Sequence, residues 1–280
     1  MSADNLGILA GGGVLPVAVA EAAIAGGRDV HIVAIRGEAD PAIERFQHNW
    51  VRWGEIGLLL DSFKRARCRE LVIIGSVTRP DLSEVRFDLG AIRNLPRLLG
   101  LLSGGDDSVL SSVVRFFESK DFVVRGAHEV APALVALPGP LGSRRAGTDD
   151  ISDIRKALEV VRALGALDVG QAAVVSRGYV LAVEAAEGTD GMLRRCGELR
   201  QWGSRNSAKR QGVLVKRPKP RQEMRVDMPA IGPRTIELAA DAGLAGVAIL
   251  AGGVLLAERS EILRIAEIRQ LFVTGIEDAS

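Results

Sequence analysis

Between residues 215 and 232 the chain reads VKRPKPRQEMRVDMPAIG, which sets Lys216, Lys219, Arg221 and Arg225 near Glu223 and Asp227. Cleaving a phosphoanhydride needs cations to neutralise its non-bridging and leaving oxygens. It also needs a carboxylate to hold Mg2+ or to orient the attacking water. The stretch supplies both kinds of group, and they are expected to converge on one shared diphosphate. The same composition, punctuated by Pro218, Pro220 and Pro229, equally suits a solvated basic loop.

A second source of carboxylates is the run Glu184, Glu187, Gly188, Thr189, Asp190. Thr189 or Asp190 can cap a helix there, and an acid at that end meets the positive pole of the helix dipole. Metal ligation is the alternative use of the same acids. Three glycine-bearing stretches follow the same logic. Gly11, Gly12 and Gly13 lie between an expected strand and helix, where free N–H groups can take an anion or simply form a tight turn. Gly75, Ser76, Val77, Thr78 and Arg79 fall at the carboxyl end of a strand, the edge where open α/β sheets bind ligands. Gly104, Gly105, Asp106, Asp107 and Ser108 open a helix, where one acid can be the N-cap and the pair can bind a cation or a sugar.

Other chemistries are absent from the sequence. His31, His48 and His128 have no HxxxH-like spacing, and neither a GxSxG elbow nor a GxxxxGK[ST] loop occurs. Cys68 and Cys196 belong to no CxxC pair, which points away from zinc and from a disulfide framework and towards a reducing cytosol. The leucines at 95, 98, 99, 101 and 102 suit either core packing or an acyl-chain site.

These residues need a scaffold, and 280 residues with 47% hydrophobic and 25% charged composition can build one large core or two smaller ones. Lys and Arg number 36 against 35 Asp and Glu, with 4% aromatics, so there is no basic face or stacking platform for nucleic acid. The N-terminus has no basic region followed by an apolar one, and the longest apolar run, 243–257, is about 15 residues, too short to span a bilayer. Short apolar runs at 6–10, 30–35 and 71–75 alternate with helical patterns at 16–25 and 56–66, the signature of βαβ units and a parallel sheet. Further helices are expected over 90–102 and 107–119, and a strand over 122–125. Past a Pro- and Gly-rich linker at 136–148, a helix opens near Asp149 and Asp150, and a hairpin over 172–183 turns at Arg177 and Gly178. Strands at 213–216, 247–250 and 271–274 and helices at 188–201, 235–242 and 260–268 complete the chain. The expected organisation is α/β throughout: a Rossmann-like parallel-sheet domain at 1–135, the linker, and a mixed α/β catalytic domain at 149–280.

Taken together, LGILAGGGVLP, GGDDSVL, EGTDGMLRR and KPRQEMRVDMPAIGPRTIE occur in an order that resembles the LpxI-type UDP-2,3-diacylglucosamine pyrophosphatases, over about residues 6 to 275. The resemblance implies hydrolysis of UDP-2,3-diacylglucosamine to UMP and 2,3-diacylglucosamine 1-phosphate (lipid X), with Mg2+ as cofactor and water directed to the uridylyl phosphorus. This is a step of lipid A and lipopolysaccharide synthesis in Gram-negative bacteria. By the same resemblance Asp227 matches the acid of the family's RxD element and is the main catalytic or metal-positioning residue. Thr189 and Asp190 match its EGTD element, and Lys219 with Pro220 matches its Lys-Pro element, Lys219 being a phosphate contact. Where the family is expected to carry Asp after the Gln of that block, this chain has Glu223. The extra methylene moves the carboxylate by about one C–C bond, and Glu223 therefore ranks below Asp227.

The assembled expectation is that Lys219 and Arg225 offset pyrophosphate charge while Asp227, with Asp190 or Glu187, holds the metal or positions water. Gly11, Gly12 and Gly13 together with Ser76, Thr78 and Arg79 take the nucleotide, by the switch-point rule. Gly105, Asp106, Asp107, Lys216 and Gln222 contact the substrate. Such a lipid substrate implies a cytoplasmic protein acting peripherally at the inner face of the inner membrane, with self-association as a homodimer a further expectation. The rival readings are a nucleotide-dependent oxidoreductase and a non-catalytic sugar-nucleotide or lipid-binding protein. The glycine spacing argues against the first, as does the lack of a clear ribose-binding acid at the end of the second strand, where Arg36 precedes Glu38.

Overall fold

The computed structural model describes residues 5–78, 85, 88–91, 106–203 and 210–278, which fall into two compact units. The first comprises Met1–Ala133 with Glu223–Asp227, and the second Leu134–Gln222 with Met228–Ser280.

In the first unit the chain runs β1 (Asn5–Ala10), α1 (Leu15–Ala25), β2 (Val30–Ile35), β3 (His48–Val51), α2 (Ile56–Arg65), β4 (Cys68–Ile74), α3 (Asp106–Glu118), β5 (Val123–Arg125) and the short α4 (Ala127–Val130). The sheet order is β3-β2-β1-β4-β5, with every pair parallel. β1 is central, and Leu9 lies between Val33 of β2 and Ile73 of β4. Strands such as VHIVAI are nearly continuous in apolar residues because a parallel sheet is covered on both faces. Phe63 of α2 and Val114 and Phe117 of α3 pack on Leu9, Val33 and Leu71, while α1 lies on β1 and β2. Phe63 is fully buried, and truncating a side chain so placed costs about 3–5 kcal/mol. From β1 the chain runs outward through β2 to β3 and then crosses back to β4 on the other side of β1, so the carboxyl ends of β1 and β4 form the topological switch point.

Sequence patterning foresees β1, β2 and β4 but not β3. HNWV is short and polar, and as the terminal strand of the sheet it pairs only with β2. The helix expected over 90–102, with its leucines, lies outside the described residues apart from its first two positions.

The second unit contains β6 (Gly139–Pro140), α5 (Thr148–Ala166), β7 (Ala172–Ser176), β8 (Tyr179–Val183), α6 (Gly188–Gly203), β9 (Val213–Lys216), β10 (Ala230–Ile231), α7 (Pro233–Asp241), β11 (Gly246–Leu250), β12 (Leu255–Leu256), α8 (Arg259–Arg269) and β13 (Phe272–Ile276). Its mixed sheet has the order β6-β13-β11-β9-β7-β8. β9, β11 and β13 are parallel, while β6, β7 and β8 each join antiparallel to a neighbour. Alternation along β9 and β11 divides the core. Leu214, Val247 and Ile249 meet Met192 of α6, Ile236 of α7 and Ile262 of α8. Val213, Val215 and Ala248 meet Ile154 and Ala157 of α5 on the other face. Arg177 and Gly178 turn the β7–β8 hairpin with positive φ at both positions, 52° and 77°. Asp153 of α5 accepts both of their N–H groups, at 2.9 and 2.7 Å, and so ties the helix to the hairpin.

Residues 136–148, expected as a linker, belong to this unit in the structure. Ala136 is buried in its core, and Gly139 and Pro140 pair with Gly275 and Thr274 of β13. No helix among the described residues is long and apolar enough to cross a membrane.

Candidate active site

Antiparallel pairing brings the start of β7 and the end of β8 to the edge where β9 ends, with Ala172 directly opposite Lys216. Glu184 follows β8, and the first turn of α6 supplies Thr189. Lys216 Nζ donates to Thr189 Oγ1 at 2.9 Å, and that hydroxyl donates to Glu184 Oε1 at 2.7 Å. Glu184 Oε2 accepts the N–H of Gln171 at 3.1 Å. Lys216, Thr189 and Glu184 are 7%, 8% and 5% exposed. A buried ammonium and a buried carboxylate are tolerated only when paired and hydrogen-bonded, and Thr189 is the link that couples them.

The same edge carries more charge. Arg217 forks onto both oxygens of Asp278 at 3.0 Å, and Arg162 adds a bond at 2.7 Å. The Arg162 hydrogen bond is the main reason that the Asp278 carboxyl is held below its usual range. Lys219 Nζ meets Asp168 at 2.5 Å, and the Lys219 N–H donates to the buried Gln222 Oε1 at 2.9 Å. Asp190 sits on Arg234 at 2.7 Å and near Arg194 at 4.0 Å. Glu187 accepts from Arg195, which lowers the Glu187 pKa.

In the first unit the loops after β1 and β4 are stitched together. Gly12 N–H donates to Ser76 O at 2.7 Å, Ser76 N–H returns to Gly12 O at 3.0 Å, and Gly11 N–H donates to Ile74 O at 2.9 Å. A Cβ at Gly11 would stand 2.4 Å from Ser76 O, and one at Gly75, whose φ is +104°, would stand 2.6 Å from the Gly11 carbonyl carbon. Close backbone approach therefore dictates glycine at both positions. Two of the three N–H groups expected to cradle an anion are spent on this crossing. Among the described residues the N–H of exposed Gly13 meets no acceptor. Thr78 donates through both its N–H, at 3.1 Å, and its hydroxyl to Glu38 Oε1.

Glu223–Asp227 also belongs to this unit. Arg225 forks onto Glu223 at 2.8 and 2.7 Å and reaches Glu118 of α3 at 2.8 Å. The fork lowers the Glu223 pKa and raises that of Arg225. Asp227 is partly buried, its N–H bonded to Glu223 O at 2.9 Å, and Val226 packs on the Phe63–Phe117 cluster.

The structure thus assembles Gly11, Gly12, Gly13, Ser76 and Thr78 in the first unit, and Thr189 with Lys216, and Lys219 with Gln222, in the second. The 216–227 stretch is divided between the units at Gln222 and Glu223, and its cations Lys219 and Arg225 are paired with carboxylates of their own unit. Arg79 and Gly105 lie outside the described residues, as do the side chains of Asp106 and Asp107, which open α3. Sequence reasoning placed Glu184 in a run of capping or metal-ligating residues and passed over Asp168, Asp278 and Glu118. It set Glu38 aside as no clear ribose-binding acid.

For the expected Mg2+, no group of three or more His, Cys, Asp or Glu side chains comes together among the described residues. Glu187 and Asp190 are each paired with an arginine, and Asp227, the other carboxylate expected at the metal, belongs to the first unit. Mg2+ is commonly held by one or two carboxylates together with substrate phosphates, and this donor set fits that mode rather than an all-protein cage.

The strand order places the first unit among Rossmann-like parallel-sheet folds, and the whole is a two-unit α/β protein. Residues 5–134 match the LpxI N-terminal domain, and residues 138–274 match the LpxI C-terminal domain. The chain is also 42% identical over 273 residues, 98% of each chain, to the UDP-2,3-diacylglucosamine pyrophosphatase LpxI of Caulobacter vibrioides. It belongs to the LpxI family.

Proposed function

We propose that this chain hydrolyses the pyrophosphate of UDP-2,3-diacylglucosamine to UMP and 2,3-diacylglucosamine 1-phosphate, in lipid A synthesis. The full-length relative, by its name a UDP-2,3-diacylglucosamine pyrophosphatase, supplies the substrate. The geometric observation that carries the reading is the buried cation of Lys216, fixed by Thr189 and Glu184 at a sheet edge. Fixed positive charge in a shielded place is what an anionic phosphoryl transition state needs.

In the reaction, water attacks the uridylyl phosphorus. The bond from that phosphorus to the bridging oxygen breaks, and the electron pair leaves on the sugar-bound phosphate. Asp227 orients the water and accepts its proton. In the second unit Lys216 and Lys219 offset phosphate charge, with Thr189 holding Lys216 and Gln222 holding the Lys219 backbone. In the first unit Gly13 and the Ser76–Thr78 loop take the nucleotide, and Arg225 is kept in place by Glu223 and Glu118. Arg79, Gly105, Asp106, Asp107 and Asp190 are further substrate contacts in this reading. Asp227, together with the substrate's own phosphates, would hold Mg2+, which would supply charge neutralisation.

A diacylated substrate places this work at a lipid surface, and the proposed mode is peripheral, at the cytoplasmic face of the inner membrane of a Gram-negative cell. Sedimentation with phospholipid vesicles reads that association, and light scattering reads whether the protein works as a homodimer.

The decisive experiment is UMP release from UDP-2,3-diacylglucosamine in ¹⁸O-labelled water, with and without chelator. The reading requires label in UMP and loss of turnover with chelator. Label in the sugar phosphate overturns the site of attack, turnover that survives the chelator overturns the Mg2+ role, and no UMP release sinks the hydrolase itself.

A further inference from the structure

At the carboxyl edge of the first sheet, the crossing of the β1 and β4 loops has a third neighbour. The segment after β2 brings the Glu38 carbonyl to 2.9 Å from where a Cβ on Gly12 would lie, and Ser76 Oγ is the same distance from that point. Glu38 is therefore beside the switch point, although it lies three residues beyond the end of β2. Its carboxylate is pre-oriented, because Thr78 spends both its N–H and its hydroxyl on Oε1. Among the described residues no donor occupies Oε2. Glu38 is only partly buried, and Gly13, Ser76 and Thr78 around it are exposed.

A carboxylate anchored on one oxygen, open on the other and set at the crevice of a parallel sheet matches the chemistry of a vicinal diol, which offers two O–H donors. We propose that Glu38 reads the ribose of the uridylyl group by accepting hydrogen bonds from its 2′- and 3′-hydroxyls. Nearby, the exposed N–H of Gly13, ahead of the N-terminus of α1, points to the phosphate on the same nucleoside. Gly11 and Gly12 have given their N–H groups to β4 and its loop, so the β1 turn offers a phosphate the N–H of Gly13 rather than the row of N–H groups on which a dinucleotide's pyrophosphate rests. The edge accordingly suits a mononucleotide and not a dinucleotide. This inference rests on the hydrolase reading, in which UMP is the nucleotide product.

The test is calorimetric binding of UMP and of 2′-deoxy-UMP to the full-length wild-type protein and to Glu38→Ala and Glu38→Gln, with UMP release from UDP-2,3-diacylglucosamine measured on the same samples. A hydrogen bond to a charged acceptor implies that wild type prefers UMP over 2′-deoxy-UMP by about tenfold or more. In Glu38→Ala that preference should fall to about one, with 2′-deoxy-UMP weakened less than UMP because it loses only the bond from its 3′-hydroxyl. Glu38→Gln should retain part of it. A merely structural role in holding the Thr78 loop would weaken both nucleotides together and leave their ratio unchanged, which would overturn the assignment. A wild type that releases UMP yet does not distinguish the two nucleotides overturns it as well, with the hydrolase intact. A wild type that releases no UMP removes both readings.

Discussion

Lys216 Nζ lies 2.9 Å from Thr189 Oγ1, and both side chains are buried. The threonine has one proton to give, and gives it to Glu184 at 2.7 Å. The hydroxyl thus stands between two opposite charges and bonds to both.

Thr189→Val keeps the shape and removes both bonds. It should cost about 1–3 kcal/mol of stability, the usual penalty for leaving buried polar groups unpaired, as read from urea unfolding midpoints. The value of kcat/KM for UMP release should fall in the same variant, and Thr189→Ser should recover most of both. Equal stability of wild type and Thr189→Val would mean that the Lys216–Glu184 linkage contributes nothing.

Asp227 is the group assigned to the reacting water. Asp227→Ala should lower kcat by about 10²- to 10⁴-fold, the range for losing one acid–base group. The unfolding transition should stay near that of wild type, because the side chain is only partly buried. A near-wild-type rate would move the role elsewhere.

Glu223 titrates below its ordinary value of 4.5, chiefly because it accepts the Arg225 fork. A lowered folded-state pKa means that the pair stabilises the protein fully above the ordinary carboxylate pKa. That contribution is lost as pH falls through the lowered value. Stability measured from pH 7 down to about 3 should therefore fall less in Glu223→Gln than in wild type. Parallel acid limbs in the two proteins would show that the fork contributes nothing to folding.

Gly11→Ala drives a methyl to 2.4 Å from the Ser76 carbonyl, which cannot yield without opening the Gly12–Ser76 bonds. Overpacking of this kind costs about 1–3 kcal/mol. UMP affinity should fall with it, since both loops shift. Calorimetry and thermal unfolding together check the pair of effects.

Much of this fold is legible in the residues themselves. The hairpin at Arg177 and Gly178 is written in its turn chemistry, and β1, β2, β9 and β11 in their apolar runs, because local pattern and burial agree there. The two-residue strands β6, β10 and β12 are not, since their partners alone define them. The site divides the same way. Residue types named Lys216, Thr189 and Asp227, but the partners that position the cations come from far along the chain: Glu118 is 107 residues from Arg225, and Asp168 is 51 from Lys219. Glu38 and Thr78 are 40 residues apart and meet only because β2 and β4 flank β1 in register. No spacing rule encodes such meetings.

Because Glu223–Asp227 is part of the first unit while the polypeptide on either side belongs to the second, the backbone passes from one to the other three times. A gene severed after Ala133 would strip the first fold of Val226, which packs on its phenylalanines, and would leave Glu118 without Arg225. The halves are consequently poor candidates for recombination as independent cassettes: whichever lineage inherits the parallel sheet must inherit, from ninety residues downstream, the short thread that finishes it.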